Sequence, residues 1–148
     1  MIHFDAHRDL LSEYMGERFS HITWAYHIAR NPGFRLVQIG CRSWSREEET
    51  NLKQLRVLDK IGKLAGPIYL SVDMDVFDPA LVPAVGTPEP GGIGWYETLS
   101  LFKEVAKDKK VVGFDIVELC PIQGNIASDF FAAKLIYRLL GYIFPAKK

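Results

Sequence analysis

Residues 68–79 read IYLSVDMDVFDP: an apolar run broken by Ser71 ends at Asp73, with further acids at Asp75 and Asp78 before Pro79. The run lacks the in-out alternation of a half-solvated strand, so it predicts a parallel strand, Ile68 to Asp73, covered on both faces. Residues 1–10, MIHFDAHRDL, repeat the arrangement: a short strand from Ile2 to Asp5 opens into Asp5, His7 and Asp9. A third apolar run, VVGFDIVEL at 111–119, ends with Asp115 and Glu118. Open parallel sheets bind ligands at the carboxyl ends of their strands. Acids ending three strands therefore mark one rim. Carboxylates are rarely buried unpaired, and two about 4 Å apart repel by on the order of 1 kcal/mol in water and 4 at an effective dielectric near 20. Positive charge should sit between them.

Helical patterns fill the gaps between strands. Ser20 is expected to cap a helix over residues 21–30 that stops at Asn31-Pro32-Gly33. RLVQIGC, 35–41, reads as another strand. Ser45 with Glu48 forms a capping box ahead of a long helix with an apolar stripe at Leu52, Leu55, Leu58 and Ile61, ended by Gly66-Pro67. On this reading the span from Arg46 to Pro67 is one helix and a peripheral strand is lost. A Pro/Gly loop runs to about Gly94, a helix covers Trp95 to Lys107, and Ser128 caps a final helix. That helix is apolar on nearly all sides, which predicts deep burial. The whole chain, 1–148, reads as one α/β domain: a three-layer parallel sheet of about four strands with helices on both faces.

A chain of 148 residues that is 48% hydrophobic has core enough without disulfides or structural metal. Lysine plus arginine (18) equals aspartate plus glutamate (18), which excludes a global field for nucleic acid or anionic membrane. The basic clusters Lys107–Lys110 and Lys147-Lys148 read as a solvated turn and a solvated terminus. Two distant cysteines, Cys41 and Cys120, fit a reducing compartment. No apolar stretch reaches the roughly 18 residues of a membrane span and no signal peptide is visible. A soluble cytoplasmic protein is expected.

Alternate residues of a strand share a face, so Asp5, His7 and Asp9 point one way if the chain stays extended, as do Asp73 and Asp75. Asp5, Asp9, Asp73 and Asp75 carry four negative charges, the formal charge of two divalent cations. Oxygen donors with one imidazole suit manganese better than zinc. A lone Asp-x-His-x-Asp is also compatible with a capped strand end; two such motifs ending parallel strands are much harder to read that way. His3 shares the parity of Asp5 but lies deeper, and a hydrogen-bonded core histidine is the better reading. Asp78 reads equally as a residue orienting a metal ligand or as a plain Asp-Pro turn. Trp24, Trp44 and Trp95 read as core or pocket wall, with Trp95 placed to line a substrate mouth.

DAHRD, SVDMDVFDP, the GTPEPGG that follows and FDIVELCP resemble the ureohydrolase family, which includes arginase and agmatinase. Ser20–Thr23 resembles the agmatinase-type histidine loop. The resemblance implies a parallel α/β fold with two manganese ions and an agmatinase-like amidinohydrolase that converts agmatine to putrescine and urea through a metal-bridging hydroxide. It implies that Asp5 and Asp73 bridge both ions, His7 and Asp75 complete one shell and Asp9 serves the other. It makes His21 a proton shuttle and Glu118 the group that takes the guanidinium of a small-molecule substrate.

Family members carry a further N-terminal half with strands of the same sheet and a Gly-Gly-Asp-His motif whose histidine binds the first ion. The sequence matches the C-terminal portion of that fold, a truncated version of it. The site with His7 and Asp75 is therefore the more complete one. The family strand order leaves Val111–Leu119 as an edge, which implies a homo-oligomer or association with the missing N-terminal half. Ile22 stands where the family has a glycine. A non-catalytic metal-binding subunit is the main alternative. A deacetylase-like hydrolase is disfavoured because two Asp-rich motifs suit two metals.

Overall fold

The structure, a computed structural model, describes residues 1–58 and 60–145; the Lys147-Lys148 tail lies outside them. Five parallel strands form one sheet: β1 (Ile2–Phe4), β2 (Leu36–Ile39), β3 (Val57–Leu58), β4 (Ile68–Asp73) and β5 (Val111–Val117), in the order β3-β2-β1-β4-β5. Strand β1 lies between β2 and β4, so Phe4 pairs with Ile39 on one side and Val72 on the other. The two acid-bearing strand ends are thus neighbours. Strand β5 is an edge, as the family order implies.

Helices α1 (Trp24–Arg30), α2 (Arg46–Gln54), α3 (Trp95–Asp108) and α4 (Ile126–Ile143) cover both faces. Phe102 and Val105 of α3 and Ala132, Leu135 and Leu139 of α4 join Ile2, Phe4, Leu70 and Val72 in the main core. The Phe4 and Phe102 rings meet edge to face at 5.5 Å. Ala25 and Ala29 of α1 pack with Leu10, Leu36 and the flanking Leu52 of α2 in a second core. Burying a leucine, valine or phenylalanine of these cores contributes roughly 1.5–3 kcal/mol.

Four expectations are corrected. The long helix ends at Gln54, and Val57–Leu58 pair with Leu36–Val37, so the peripheral strand is present though only two residues long. The stripe fails because Arg56 and Val57 leave the helix after Leu55, whose backbone is extended. The first helix begins at Trp24 rather than after Ser20: Thr23 Oγ1 bonds the Arg18 and Ser20 carbonyls, holding residues 20–23 in a turn. Asn125, not Ser128, caps α4, its side chain accepting from Ala127 N–H, and Ser128 is buried in the first turn. Helix α4 is also not buried on all sides, since Phe130 is 63% and Tyr137 70% exposed. Only one of its faces meets the sheet.

The predicted capping box is present. Ser45 Oγ accepts from Glu48 N–H at 3.2 Å and Glu48 Oε2 accepts from Ser45 N–H at 2.7 Å. Buried Glu48 also accepts from Leu10 N–H at 3.1 Å, and Asn51 Nδ2 donates to Leu10 O at 2.7 Å. The start of α2 thereby fixes the loop that carries Asp9. Replacing Glu48 with alanine strands the Ser45 and Leu10 amides and is expected to cost about 2 kcal/mol, measured by urea unfolding; a loss under about 0.5 kcal/mol would mean that the box is idle.

Candidate metal centre

Each acid reaches the rim by its own backbone route. Asp5 leaves the end of β1, and its Oδ1 accepts the His7 N–H at 2.5 Å, while the chain runs on beside the segment after β2 through a parallel His7–Ser43 bridge. Asp73 ends β4 and its Oδ1 accepts the Asp75 N–H at 2.9 Å, opening a 3-10 turn over Met74–Val76. That turn, rather than strand alternation, carries Asp75 across to β1, where Oδ1 accepts the Ala6 N–H at 3.0 Å. Asp9 adopts a left-handed backbone with φ 55°, and Trp24 Nε1 donates to its Oδ2 at 2.8 Å. The extended-chain premise therefore fails at Asp9, while the convergence it was meant to explain is present.

The centre of the arrangement is the His7 ring. Its Nδ1 lies 2.9 Å from Asp75 Oδ2 and 3.4 Å from Asp5 Oδ1, and the three ligand atoms fall within 4.8 Å of one another. His3, Asp5 and Asp9 form a second such group. A cavity of about 180 Å³ is lined by Asp5, His7, Asp9, His21, Asp73, Asp75 and Glu118, with Ile22, Gly86 and Thr87. All seven site residues expected from the sequence meet there. Glu118 follows β5 with a left-handed φ of 62°, an uncommon backbone for a non-glycine residue. Asp115 does not reach the rim: it lies inside β5 and accepts from Ser71 Oγ at 2.7 Å. Asp78 makes the Asp-Pro turn, accepting from Ala80 N–H at 2.8 Å. Trp95 packs on Phe131, at 4.8 Å between rings, instead of lining this cavity.

Two contributors escaped sequence reading. Glu89 Oε1 stands 3.6 Å from His7 Nε2, on the far side of the ring from Asp75. It belongs to GTPEPGG, where the glycines drew attention and the acid did not. Arg42, just past β2, donates through Nη2 to the Asp75 and Glu89 carbonyls, each at 2.9 Å, and through Nε to the Pro90 carbonyl at 3.0 Å. One guanidinium thereby ties the Met74–Val76 turn to the Pro/Gly loop. Gly40, at φ 90°, clears the way, since a Cβ there would overlap Val76. Position was the available signal: β2 ends at the same rim as β1 and β4.

The electrostatics show how much negative charge is gathered. Burial and the charges of Asp5 and Asp75 push the Asp73 carboxyl up to about 9. Burial, then Asp5, pushes Asp9 up to about 7. Hydrogen bonds to Asp5 and Asp75 raise the His7 ring to about 11. Burial alone would raise Asp5, but hydrogen bonds from His3 and His7 more than offset it and leave Asp5 well below the usual carboxylate range. His7, Asp9 and Asp73 thus all favour their protonated forms among the gathered acids. Hard oxygen donors with one imidazole fit manganese or a similar divalent ion.

The fold and rim define a parallel α/β protein with two clustered groups of candidate metal ligands. The family model described as the arginase family matches residues 1–141. The chain belongs to the arginase family. It is 38% identical over 151 residues to the agmatinase of Pyrococcus horikoshii, covering 93% of this chain and 53% of that protein. It is 36% identical over 156 residues to the N(1)-aminopropylagmatine ureohydrolase of Thermus thermophilus, covering 95% and 53%. The crystal structure of agmatine ureohydrolase of Thermoplasma volcanium superposes with a TM-score of 0.82 at 32% identity, covering 96% of this chain and 54% of that one. The chain spans about half the length of the curated relatives it matches.

The charge pattern sets a pH dependence. Folding binds protons at Asp9, Asp73 and His7, whose values rise from 3.8, 3.8 and 6.5. The His7 contribution is complete below its unfolded value and is lost as pH rises toward 11; the two acids begin to oppose folding above 3.8 and do so fully past 7 and 9. Depressed Asp5 acts in the opposite sense, stabilising above 3.8 and losing that effect as pH falls through its folded value. The Tm of the metal-free protein is therefore expected to fall from about pH 5 to about pH 9, with Asp73→Asn flattening the fall. A Tm that rises over this range in calorimetry would contradict it.

Proposed function

We propose that this chain carries the metal-binding rim of a manganese-dependent amidinohydrolase, agmatinase-like, that hydrolyses agmatine to putrescine and urea. The observation that carries the reading is the His7 ring held between Asp5 and Asp75 in one cavity with Asp9, Asp73, His21 and Glu118. Asp5 and Asp73 would be shared by two ions, His7 and Asp75 would hold one, and Asp9 the other. Manganese, when bound, would supply a Lewis acid that lowers the pKa of water to near neutrality. Glu118 would bind the planar guanidinium by charge-assisted hydrogen bonds. His21 would give a proton to the departing amine. Relatives named for agmatine and for aminopropylagmatine support a linear guanidino amine as substrate. No helix of the described residues is long and apolar enough to cross a membrane. Unpaired Cys41 and Cys120 support a reducing, cytoplasmic setting.

The edge β5 favours the second reading, a subunit that works only with the half its relatives carry. Val112 and Val117 of that strand are 59% and 40% exposed, and Phe130 of α4 is exposed too. The partner proposed is a polypeptide equivalent to the relatives' other half, pairing along β5. Urea release from agmatine with manganese is to be measured for the chain alone and with the N-terminal half of the Pyrococcus agmatinase added. Turnover that appears or rises on addition is expected; none in either mixture would sink the catalytic reading.

The two cation positions are unequal. The His7 side chain is 26% exposed and open to an incoming ion, whereas the imidazole in the other group, His3, is buried and engaged on both ring nitrogens by Asp5 and Gln38. The His7 position is expected to fill first in a calorimetric manganese titration. Two equally tight sites would contradict this.

A further inference from the structure

His3 is 2% exposed and belongs to no step proposed above, yet every polar atom of its ring is engaged. Its Nε2 lies 2.7 Å from Asp5 Oδ2, and Gln38 Nε2 lies 3.3 Å from its Nδ1. The Trp24 indole meets the ring edge to face at 4.5 Å. The orientation of the Gln38 amide is fixed independently of His3. Its nitrogen donates to the Arg8 carbonyl at 2.6 Å, and its oxygen accepts from Arg8 Nη1 at 3.5 Å. A flipped amide would set two oxygens face to face at Arg8.

With the amide so fixed, Gln38 is a donor toward His3, and Nδ1 must accept. The remaining ring proton then sits on Nε2 and is donated to Asp5 Oδ2. On its other oxygen, Asp5 accepts the His7 N–H. The carboxylate is thus pinned at both ends, with Oδ1 on the side of His7 Nδ1.

We propose that His3 is a positioning residue: Gln38 holds it as the Nε2–H tautomer, and that N–H locks the carboxylate plane of Asp5 in the orientation that a divalent cation beside His7 requires. Residues that orient a metal ligand in this way typically account for about 10- to 100-fold in metal affinity. The arrangement also ties strand to strand. Gln38 of β2 pairs in register with His3 of β1, so side chains on one face of two neighbouring strands carry the relay into the rim. The inference rests on the cation site proposed above.

The test is the manganese dissociation constant of the whole chain, read by calorimetry. His3→Phe keeps a ring against Trp24 and loses the donor; it is expected to weaken binding by about 10-fold or more. His3→Gln returns an N–H at similar reach and is expected to recover binding to within about threefold of wild type. A purely structural role would not be rescued in this way. If His3→Phe does not fold, Gln38→Leu frees the tautomer while leaving His3 in place, and is expected to weaken binding about threefold. Nitrogen NMR of the wild-type chain should find the His3 proton on Nε2; a proton on Nδ1 overturns the proposal. Wild-type affinity in His3→Phe, or equal losses in the phenylalanine and glutamine variants, also overturns it and leaves the cation site standing. Absence of manganese binding by wild type overturns both.

Discussion

The constraint on which the structure depends is the convergence of Asp5, Asp9, Asp73 and Asp75 at the ends of two adjacent central strands. All four are at least nine-tenths buried, where repulsion is several times stronger than in water. Such a cluster persists in a folded protein only with positive charge inside it. The His7 ring supplies part of that charge, raised to about 11 by its two acid neighbours. Asp9 and Asp73 lessen the repulsion by holding protons to higher pH than a free carboxylate. At a rim of this kind protons and cations compete for the same electron pairs.

Holding the cluster open falls to residues with little chemistry of their own. Arg42 spends its guanidinium on main-chain carbonyls of the 75–77 turn and the 89–90 loop. Glu48 anchors the loop after Asp9 through the Leu10 amide. Trp24 restrains one Asp9 oxygen and His3 one Asp5 oxygen. Asp9 is thus oriented by a side chain of α1 and Asp5 by one of β1. A rigid rim follows from the packing of the whole sheet rather than from the motifs alone.

Much of this was legible in the sequence, for identifiable reasons. IYLSVD announces a buried strand because its apolar run is continuous, and β4 has those bounds. The Ser45–Glu48 box was readable because capping is local chemistry. The acids were readable because burial without partners is so costly. What failed depended on the rest of the chain. The two-residue β3 is too short for any period, and it forms because Leu36–Val37 offers an edge. The exposure of α4 could not be seen in a helix whose apolar residues nearly encircle it. Asp9 and Glu118 reach the rim on left-handed backbones that no pattern of side chains encodes. Glu89 and Arg42 act through contacts between segments about 47 residues apart in the chain, where spacing carries no signal.

The position of each group in the sheet separates two capacities. The groups that would hold cations come from β1, β4 and the turns after them, flanked on both sides by paired strands. Their placement needs nothing beyond the described residues. Glu118 instead follows β5, the edge, whose outer side has no neighbouring strand among those residues and whose Val112 and Val117 stand exposed. An edge strand has half the hydrogen-bonding partners of a central one and opens more readily. The proposed cation site and the proposed guanidinium group therefore rest on parts of the sheet that differ in strand pairing. On that proposal, a chain added along β5 would leave the first nearly unchanged and act on the second.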